Sequence, residues 1–325
     1  MFGRKNLKKS ARRYLFGVLV YSLVMVLYTQ NGYHQNFIQE NTLSVLKIFY
    51  AFYLIIGLPL NIVADKKRGH KPELIVKGIL SFFKKKKISK EQKTAILFGT
   101  VKIFYTPLML NFFFGNYYGA VSFVESLFRT GVSSFNFRQD FNKIFSVIFG
   151  IDTLFFAFGY LFEHKWLKNV VRSVEPTALG WAVALASYPP FNSVTAKYLG
   201  WYSSDYFFVP VDWIDYLFKI LITLLLLLYL WATLSLGTKA SNLTNRGTVS
   251  KGAYKYIRHP AYTGKMLAWW IMALSAFSWG ALFSLLGWTT IYFMRAITEE
   301  RHLSKDRDYR RYAKKTPYRF IPGWI

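Results

Sequence analysis

Two short polar segments near the C-terminal end of the chain carry side chains that can bind ligands or move protons. The first, residues 254–264, contains an Arg-His-Pro sequence, and the second, residues 295–303, contains two adjacent glutamates. Imidazole and carboxylate groups can accept protons, and a guanidinium can hold an anionic group through paired hydrogen bonds. The largely apolar stretch 266–294 separates the two segments, so they form one site only if that stretch brings them together.

The sequence around Arg258-His259-Pro260 predicts an extended turn followed by a helix. Pro260 disfavours helical geometry at His259, whereas its own missing N–H is tolerated in a first helical turn. A helix over 260–276 would place Tyr262 and Gly264 in its first turns, where exposed N–H groups and the positive end of the helix dipole attract an anion. Gly264 would let a ligand or a neighbouring backbone approach closely. Taken alone, His259 is equally compatible with a hydrogen-bonded structural histidine.

The spacing in the second polar segment predicts one helical face that carries most of its charge. Arg295 and Glu299 lie four residues apart, so they share a face of a helix, and His302 or Leu303 extends that face. Glu300 points roughly 100° away from Glu299 at 3.6 residues per turn. Adjacent acids at a membrane surface can hold a cationic amine or ribose hydroxyls. The alternative is a surface ion pair with a neighbouring arginine, which contributes little stability.

The stretch 266–294 predicts a helical hairpin that enters the membrane and returns. It is too long for one untilted span and too short for two full ones, and residues 275–280 are a natural turn in its middle. The basic residues from Arg295 onward favour a return to the side of His259. One long tilted helix would instead place Arg295 on the opposite side of the membrane and remove the site.

Apolar runs along the whole chain predict a multi-pass membrane protein. The 325 residues are 53% hydrophobic and 20% aromatic, and they include no cysteine and no zinc-binding spacing, so no metal is expected. We predict an all-α integral membrane protein with about eight membrane segments, of which the last two form the C-terminal hairpin. Besides that hairpin, the predicted spans are residues 14–30, 43–64, 95–115, 143–162, 178–196 and 213–236.

The net charge of +26 follows a pattern that indicates membrane topology rather than nucleic-acid binding. Most of the 42 Lys and Arg residues fall in alternate connecting segments, among them residues 1–13, 65–94 and 295–325. The positive-inside rule places those segments, and with them both termini, in the cytoplasm. The first apolar run is not followed by a small-residue cleavage site, so we predict a retained span rather than a signal peptide. Membrane lipids, and not nucleic acids, are the expected partners.

The chain is predicted to contain an accessory transmembrane region, residues 1–200, and a catalytic membrane region, residues 201–325. Within the first, Pro189-Pro190 should break the span 178–196 or make it begin anew near Phe191, because each proline removes a backbone donor. A broken span would also suit a non-catalytic transporter. That alternative predicts ionisable side chains buried within the spans, and the few present lie mostly near span ends.

Several motifs of the last third of the chain occur together in a fixed order. They are Gly252-x-Tyr-x-Tyr-x-Arg-His-Pro-x-Tyr-x-Gly264, the apolar hairpin, Arg295-x3-Glu-Glu-x2-Leu303, Tyr309-x2-Tyr312 and Arg319-Phe-Ile-Pro322. In this combination the chain resembles the isoprenylcysteine carboxyl methyltransferase family, and the phospholipid N-methyltransferases are similar members of that superfamily. The resemblance covers residues 213–325.

The resemblance implies methyl transfer from S-adenosylmethionine, bound at the cytoplasmic membrane surface, to a lipophilic acceptor that enters from the lipid. It implies a cofactor pocket lined by His259, Tyr262, Gly264, Glu299 and Glu300. Arg295 would face the acceptor. The resemblance implies Arg295, Glu299 and His259 as the catalytic residues. A carboxylate acceptor is already ionised at neutral pH, whereas a phospholipid amine must lose a proton to a glutamate or to His259.

A related Arg-His-Pro motif occurs in the membrane sterol reductases, which transfer hydride from NADPH. In that family an asparagine follows the proline, and the second segment ends differently. Here Ala261 follows the proline, and the second segment contains Glu299-Glu300. Both differences favour the methyltransferase. A carboxylate is the first expectation for its acceptor, and a phospholipid amine is the alternative.

Overall fold

The described residues of the chain fold mostly into α-helices and include almost no strand, which confirms the predicted class. The computed structural model describes residues 4–63, 69–131, 133, 135–203, 207–276 and 278–324. The helices are α1 (Arg4–Gln30), α2 (Gly32–Phe37), α3 (Glu40–Val63), α4 (Lys71–Phe83), α5 (Lys90–Thr130), α6 (Phe137–Leu161), α7 (Ala178–Leu185), α8 (Phe191–Thr195), α9 (Asp212–Leu236), α10 (Pro260–Ala273), α11 (Trp279–Leu303) and α12 (Arg307–Lys315). Two short strands, β1 (Ser173–Val174) and β2 (Thr244–Asn245), pair antiparallel.

Six of the described helices are long and apolar enough to cross a membrane, namely α1, α3, α5, α6, α9 and α11. Many of their large apolar side chains are exposed, for example Leu15 and Leu23 on α1, Ile55 on α3 and Leu224 on α9. Exposed leucines in such numbers fit contact with lipid rather than with water. The fold is therefore that of a multi-pass membrane protein. Helices of spanning length number six in the described residues, whereas the apolar pattern predicts about eight membrane segments.

The difference in number arises at two places where the helices are short. The predicted span 178–196 is wrong as a span, because α7 and α8 have only 8 and 5 residues. The predicted break is confirmed, because α7 ends at Leu185 and α8 begins at Phe191. The first arm of the hairpin, α10, has 14 residues and is also shorter than the roughly 20 residues that span a bilayer.

The described chain forms two compact units, residues 1–114 and residues 115–325. In the first unit α1 packs against α3 and α4, and Glu73 of α4 lies 3.0 Å from Arg12 of α1. In the second unit α9 packs against both α6 and α10. The predicted boundary at residue 200 lies inside the second unit, and the assignment of functions to its two sides stays a prediction.

Helices α9 and α10 of the second unit pack closely against each other. A Cβ atom built on Gly264 would lie 2.5 Å from the carbonyl oxygen of Leu225 and 3.0 Å from the amide nitrogen of Tyr229. Only a glycine allows two helix backbones to approach so closely. The buried side chains Ile222, Leu226 and Ala268 continue this contact into the core. The α10 helix, which follows the Arg-His-Pro segment, is therefore held against a membrane-spanning helix.

The predicted hairpin is confirmed, because α11 returns alongside α10. The indole Nε1 of Trp270 donates to the hydroxyl of Thr289 at 3.0 Å, across the two arms. Ser278 caps α11 by accepting from the amide of Ala281, which ends the turn. Phe277, in the middle of the predicted turn, lies outside the described residues. The two polar segments of the sequence consequently meet at one end of the hairpin.

Replacing Gly264 by alanine should destabilise the contact between α9 and α10. The new methyl group would overlap the Leu225 carbonyl oxygen, and overpacking of this kind costs about 1–3 kcal/mol. We expect a lower midpoint of thermal unfolding for the purified protein. Gly115→Ala in α5 is the matched control, since its methyl group would meet no atom within 4 Å. Equal midpoints for the two variants would contradict the predicted overlap.

Candidate functional site

A cavity of about 750 Å³, counting the space that opens to solvent, lies at the end of the hairpin where the two polar segments meet. Side chains line it from the end of α6, the segment 175–184, the connector 241–244, residues 254–262 and the α11 face 295–303. All of these residues belong to the second unit.

The carboxylate of Glu300 ties the Arg-His-Pro segment to α11 and to the C-terminal segment. Its Oε1 accepts from Nε2 of His259 at 3.0 Å and lies 2.9 Å from Nε of Arg258. Its Oε2 accepts from Nε of Arg319 at 3.1 Å. An ionised carboxylate has only acceptors, so the imidazole must carry its proton on Nε2 in this contact. The amide of His259 also donates to the carbonyl of Arg319 at 2.9 Å.

His259 is held in a non-helical conformation at the beginning of α10, as the following proline predicts. Its backbone angles are φ −127° and ψ 54°, and Pro260 is the first residue of α10. Its ring stacks on Tyr262 with the planes 5° apart and the centroids at 5.3 Å. The hydroxyl of Tyr262 donates to Oε2 of Glu299 at 2.9 Å. The ring pair and the Glu299 carboxylate thus form one continuous wall of the cavity.

Arg295, on α11, contributes a buried positive charge to the site. Its guanidinium carbon lies 5.3–5.6 Å from the ring centroids of Tyr262, Tyr292 and Tyr188, distances at which a cation is attracted by an aromatic face. Its Nη2 donates to Oδ1 of Asn242 at 2.6 Å. The side chain is only 6% exposed, so the charge acts in a poorly hydrated environment.

The structure brings four of the six predicted site residues to the cavity wall: His259, Tyr262, Arg295 and Glu299. The other two, Glu300 and Gly264, lie beside it: Glu300 points to Arg258, His259 and Arg319, and Gly264 faces α9. The predicted face of α11 agrees with the structure. Arg295, Glu299, His302 and Leu303 all line the cavity, whereas Glu300 projects from a different side of the helix.

The sequence patterns do not predict several lining residues, among them Asn242 and Glu175. Asn242, which orients Arg295, lies in a polar connector where nothing in the spacing distinguishes it from its neighbours. Glu175 lies more than one hundred residues before the second polar segment, in a loop after α6, and no local signal links it to the site. Contacts between residues so far apart in sequence depend on how the helices assemble, and short motifs do not predict that assembly.

Tyr254 contributes a hydroxyl that stays protonated near neutral pH. Burial raises the pKa of this phenol well above its ordinary value, and the nearby charge of Glu299 raises it further. The residue lines the cavity beside the Arg-His-Pro segment. Tyr254 is therefore available as a hydrogen-bond donor to a ligand and not as a base.

Comparison with protein-family models gives a match in the C-terminal third of the chain. Residues 213–310 match the model of the phospholipid methyltransferase family. This family belongs to the same superfamily as the isoprenylcysteine carboxyl methyltransferases, so the predicted relationship of the C-terminal third is confirmed. The matched region includes His259 and Glu299 and leaves out Glu175. No curated protein and no solved structure matches the chain significantly.

Replacement by glutamine should lower the stability of the protein at Glu300 much more than at Glu299. Glu300→Gln removes the charge that holds Arg258, His259 and Arg319, and breaking a buried ionic contact on one side costs roughly 3 kcal/mol. We expect a clear fall in the thermal unfolding midpoint. Glu299→Gln keeps an acceptor for Tyr262 and lies at an exposed position, so its effect should stay within about 0.5 kcal/mol.

Comparable unfolding midpoints for Glu300→Gln and the unmodified protein would contradict the role assigned to Glu300. A greater loss for Glu299→Gln than for Glu300→Gln would contradict it as well. The measurement uses the purified protein in detergent with intrinsic tryptophan fluorescence.

Proposed function

We propose that the chain is an S-adenosylmethionine-dependent methyltransferase that methylates a carboxylate on a lipophilic acceptor. One observation carries the proposal: a segment matched by a methyltransferase family surrounds a single cavity with an imidazole, a carboxylate and a guanidinium. These groups are His259, Glu299 and Arg295. They lie at one end of a hairpin whose other parts are apolar, which suits an acceptor that arrives from the membrane.

The donors and acceptors of the cavity suit S-adenosylmethionine. Its ribose hydroxyls can donate to the Glu299 carboxylate, which is exposed and already oriented by Tyr262. Its adenine can lie against the stacked rings of His259 and Tyr262. Tyr254 adds a protonated hydroxyl. When bound, this cofactor supplies an electrophilic methyl group on a sulfonium sulfur.

The residues of this chain would act by orientation and by exclusion of water. Arg295 would hold the acceptor carboxylate through two parallel hydrogen bonds, with Asn242 fixing the guanidinium. Because that carboxylate is ionised at neutral pH, no base is needed, and alignment of the reacting atoms provides most of the acceleration. The aromatic rings around Arg295 would keep the reacting centre poorly hydrated and so strengthen the electrostatic contacts.

A phospholipid amine is the second candidate acceptor, and the description of the matched family favours it. A protonated amine must lose its proton before it attacks a methyl group. Glu299 could accept that proton, since it is exposed in the cavity, whereas Nε2 of His259 already contacts Glu300. Under this alternative Arg295 would bind the lipid phosphate rather than a carboxylate.

The proposed orientation places both termini and the cavity on the cytoplasmic side of the membrane. The charge pattern of the connecting segments supports this orientation. S-adenosylmethionine would then reach the cavity from water, and the acceptor would reach it from the lipid.

Cofactor binding distinguishes the proposal from the hydride-transfer and transport alternatives. Isothermal titration calorimetry on the purified protein should detect S-adenosylmethionine and not NADPH. His259→Ala removes a ring that would stack on the adenine, and Glu299→Ala removes a charged acceptor for the ribose hydroxyls, so each should weaken binding about 10-fold. Binding of NADPH alone would favour a reductase. Binding of neither cofactor, or binding insensitive to both substitutions, would refute the proposal.

Acceptor selectivity should depend on Arg295. Arg295→Gln should raise KM for a prenylated cysteine carboxylate at least about 10-fold and change kcat less, because it removes a contact to the acceptor. Arg295→Lys should recover part of the loss. Arg310→Gln, at an exposed position of α12, is the control for a lost positive charge.

Transfer of labelled methyl groups to prenylcysteine analogues and to phosphatidylethanolamine should be measured side by side. Label found only in the phospholipid would replace the carboxylate proposal by the amine alternative. An unchanged KM in Arg295→Gln would remove Arg295 from the acceptor site.

A further inference from the structure

Glu175 is a cavity residue that lies outside the family-matched region. It follows β1 and is only 3% exposed. Its Oε1 accepts from the amide of Thr177 at 3.0 Å and from the Thr177 hydroxyl, which fixes the beginning of α7. A Cβ atom on Gly180 would lie 2.4 Å from Cγ of Glu175, so α7 packs directly on this side chain.

The second oxygen of Glu175 has a different environment. Within the described part of the chain, Oε2 is buried and has no hydrogen-bond partner. Nδ1 of His302 lies 3.8 Å away, beyond hydrogen-bond distance, while Nε2 of the same ring contacts the Ser173 hydroxyl at 2.9 Å. Leaving a buried charged acceptor unpaired costs more than the hydrogen bond it could make. Glu175 and His302 both line the cavity.

A purely structural role accounts for only one oxygen of the Glu175 carboxylate, Oε1. Capping α7 uses Oε1, and a neutral glutamine oxygen would serve equally well there. The ion pair with Arg301, at 3.3 Å, also uses Oε1, and it involves a half-exposed arginine, so it contributes little. Neither role uses Oε2 or needs the negative charge.

We propose that Glu175, together with His302, forms a subsite for an ammonium group of a ligand in this cavity. An ammonium carries a positive charge and several N–H donors, so it would satisfy Oε2 and compensate the buried charge. The proposal deepens the proposed function and rests on it. Two candidate ligands carry the required group: the methyl donor, through its amino-acid end, and, under the amine alternative, an aminophospholipid acceptor, through its headgroup.

The test compares matched probes that differ by one ammonium group, using calorimetry on the full-length protein in detergent. The donor arm uses S-adenosylhomocysteine and its analogue without the α-amino group. The acceptor arm uses dihexanoyl phosphatidylethanolamine and dihexanoyl phosphatidylethanol. In one of the two arms the unmodified protein should bind the ammonium-bearing probe about 10-fold or more tightly, as expected for a charge-assisted hydrogen bond. The arm in which this occurs identifies the source of the ammonium.

Two variants distinguish an ammonium subsite at Glu175 from a purely structural ion pair between Glu175 and Arg301. Glu175→Gln keeps the size and the Oε1 contact, and it should abolish the preference for the ammonium-bearing probe while affinity for the matched probe changes less than about 3-fold. Arg301→Gln removes the same ion pair from its other side, at a residue that does not line the cavity, and should leave the preference intact.

Equal affinities for the two probes of both arms in the unmodified protein would overturn the subsite, even if Glu175→Gln did not fold. So would a preference that survives Glu175→Gln, or one that is lost to the same extent in Arg301→Gln. Absence of S-adenosylhomocysteine binding would count against the proposed function, and the lipid arm would still decide on the subsite: a preference there supports it, and none overturns it.

Discussion

The Glu300 carboxylate is the contact on which the cavity depends, because it joins three parts of the chain that are far apart in sequence. It lies on α11, near the end of the hairpin, and it holds Arg258, His259 and Arg319. A single buried carboxylate with several donors is stable only when all of them are present together. The wall that faces a ligand, made by His259, Tyr262 and Glu299, follows from this fixed arrangement.

The apolar parts of the membrane helices position this polar group without contributing to its chemistry. Gly264 lets α10 approach the α9 backbone, so the helix that begins at Pro260 is held in a fixed position against α9. The hairpin then returns α11 to the same end, where Arg295 enters a cluster of tyrosine rings. Apolar helices that face lipid can thus carry a charged site at their ends, where water and membrane are both within reach.

Local patterns predicted most of the architecture and part of the site. Apolar runs and Pro260 predicted the long helices and the beginning of α10, and the basic residues after Arg295 predicted the return of the hairpin. Hydropathy alone wrongly predicted a membrane span over residues 178–196. This stretch is apolar, but the helices on either side of its prolines are too short to cross a membrane. Asn242 and Glu175 were not predicted, because their places at the cavity depend on contacts between distant segments.

The most direct test of the central claim is to find where S-adenosylmethionine binds. Ultraviolet cross-linking of the tritiated cofactor to the full-length protein, followed by peptide mapping, locates the contact without assuming any acceptor. Label should fall in peptides that contain residues 254–264 or 295–303, and excess S-adenosylhomocysteine should prevent it. Label confined to other helices, or label that unlabelled S-adenosylhomocysteine does not displace, would contradict the assignment of this cavity as the cofactor site.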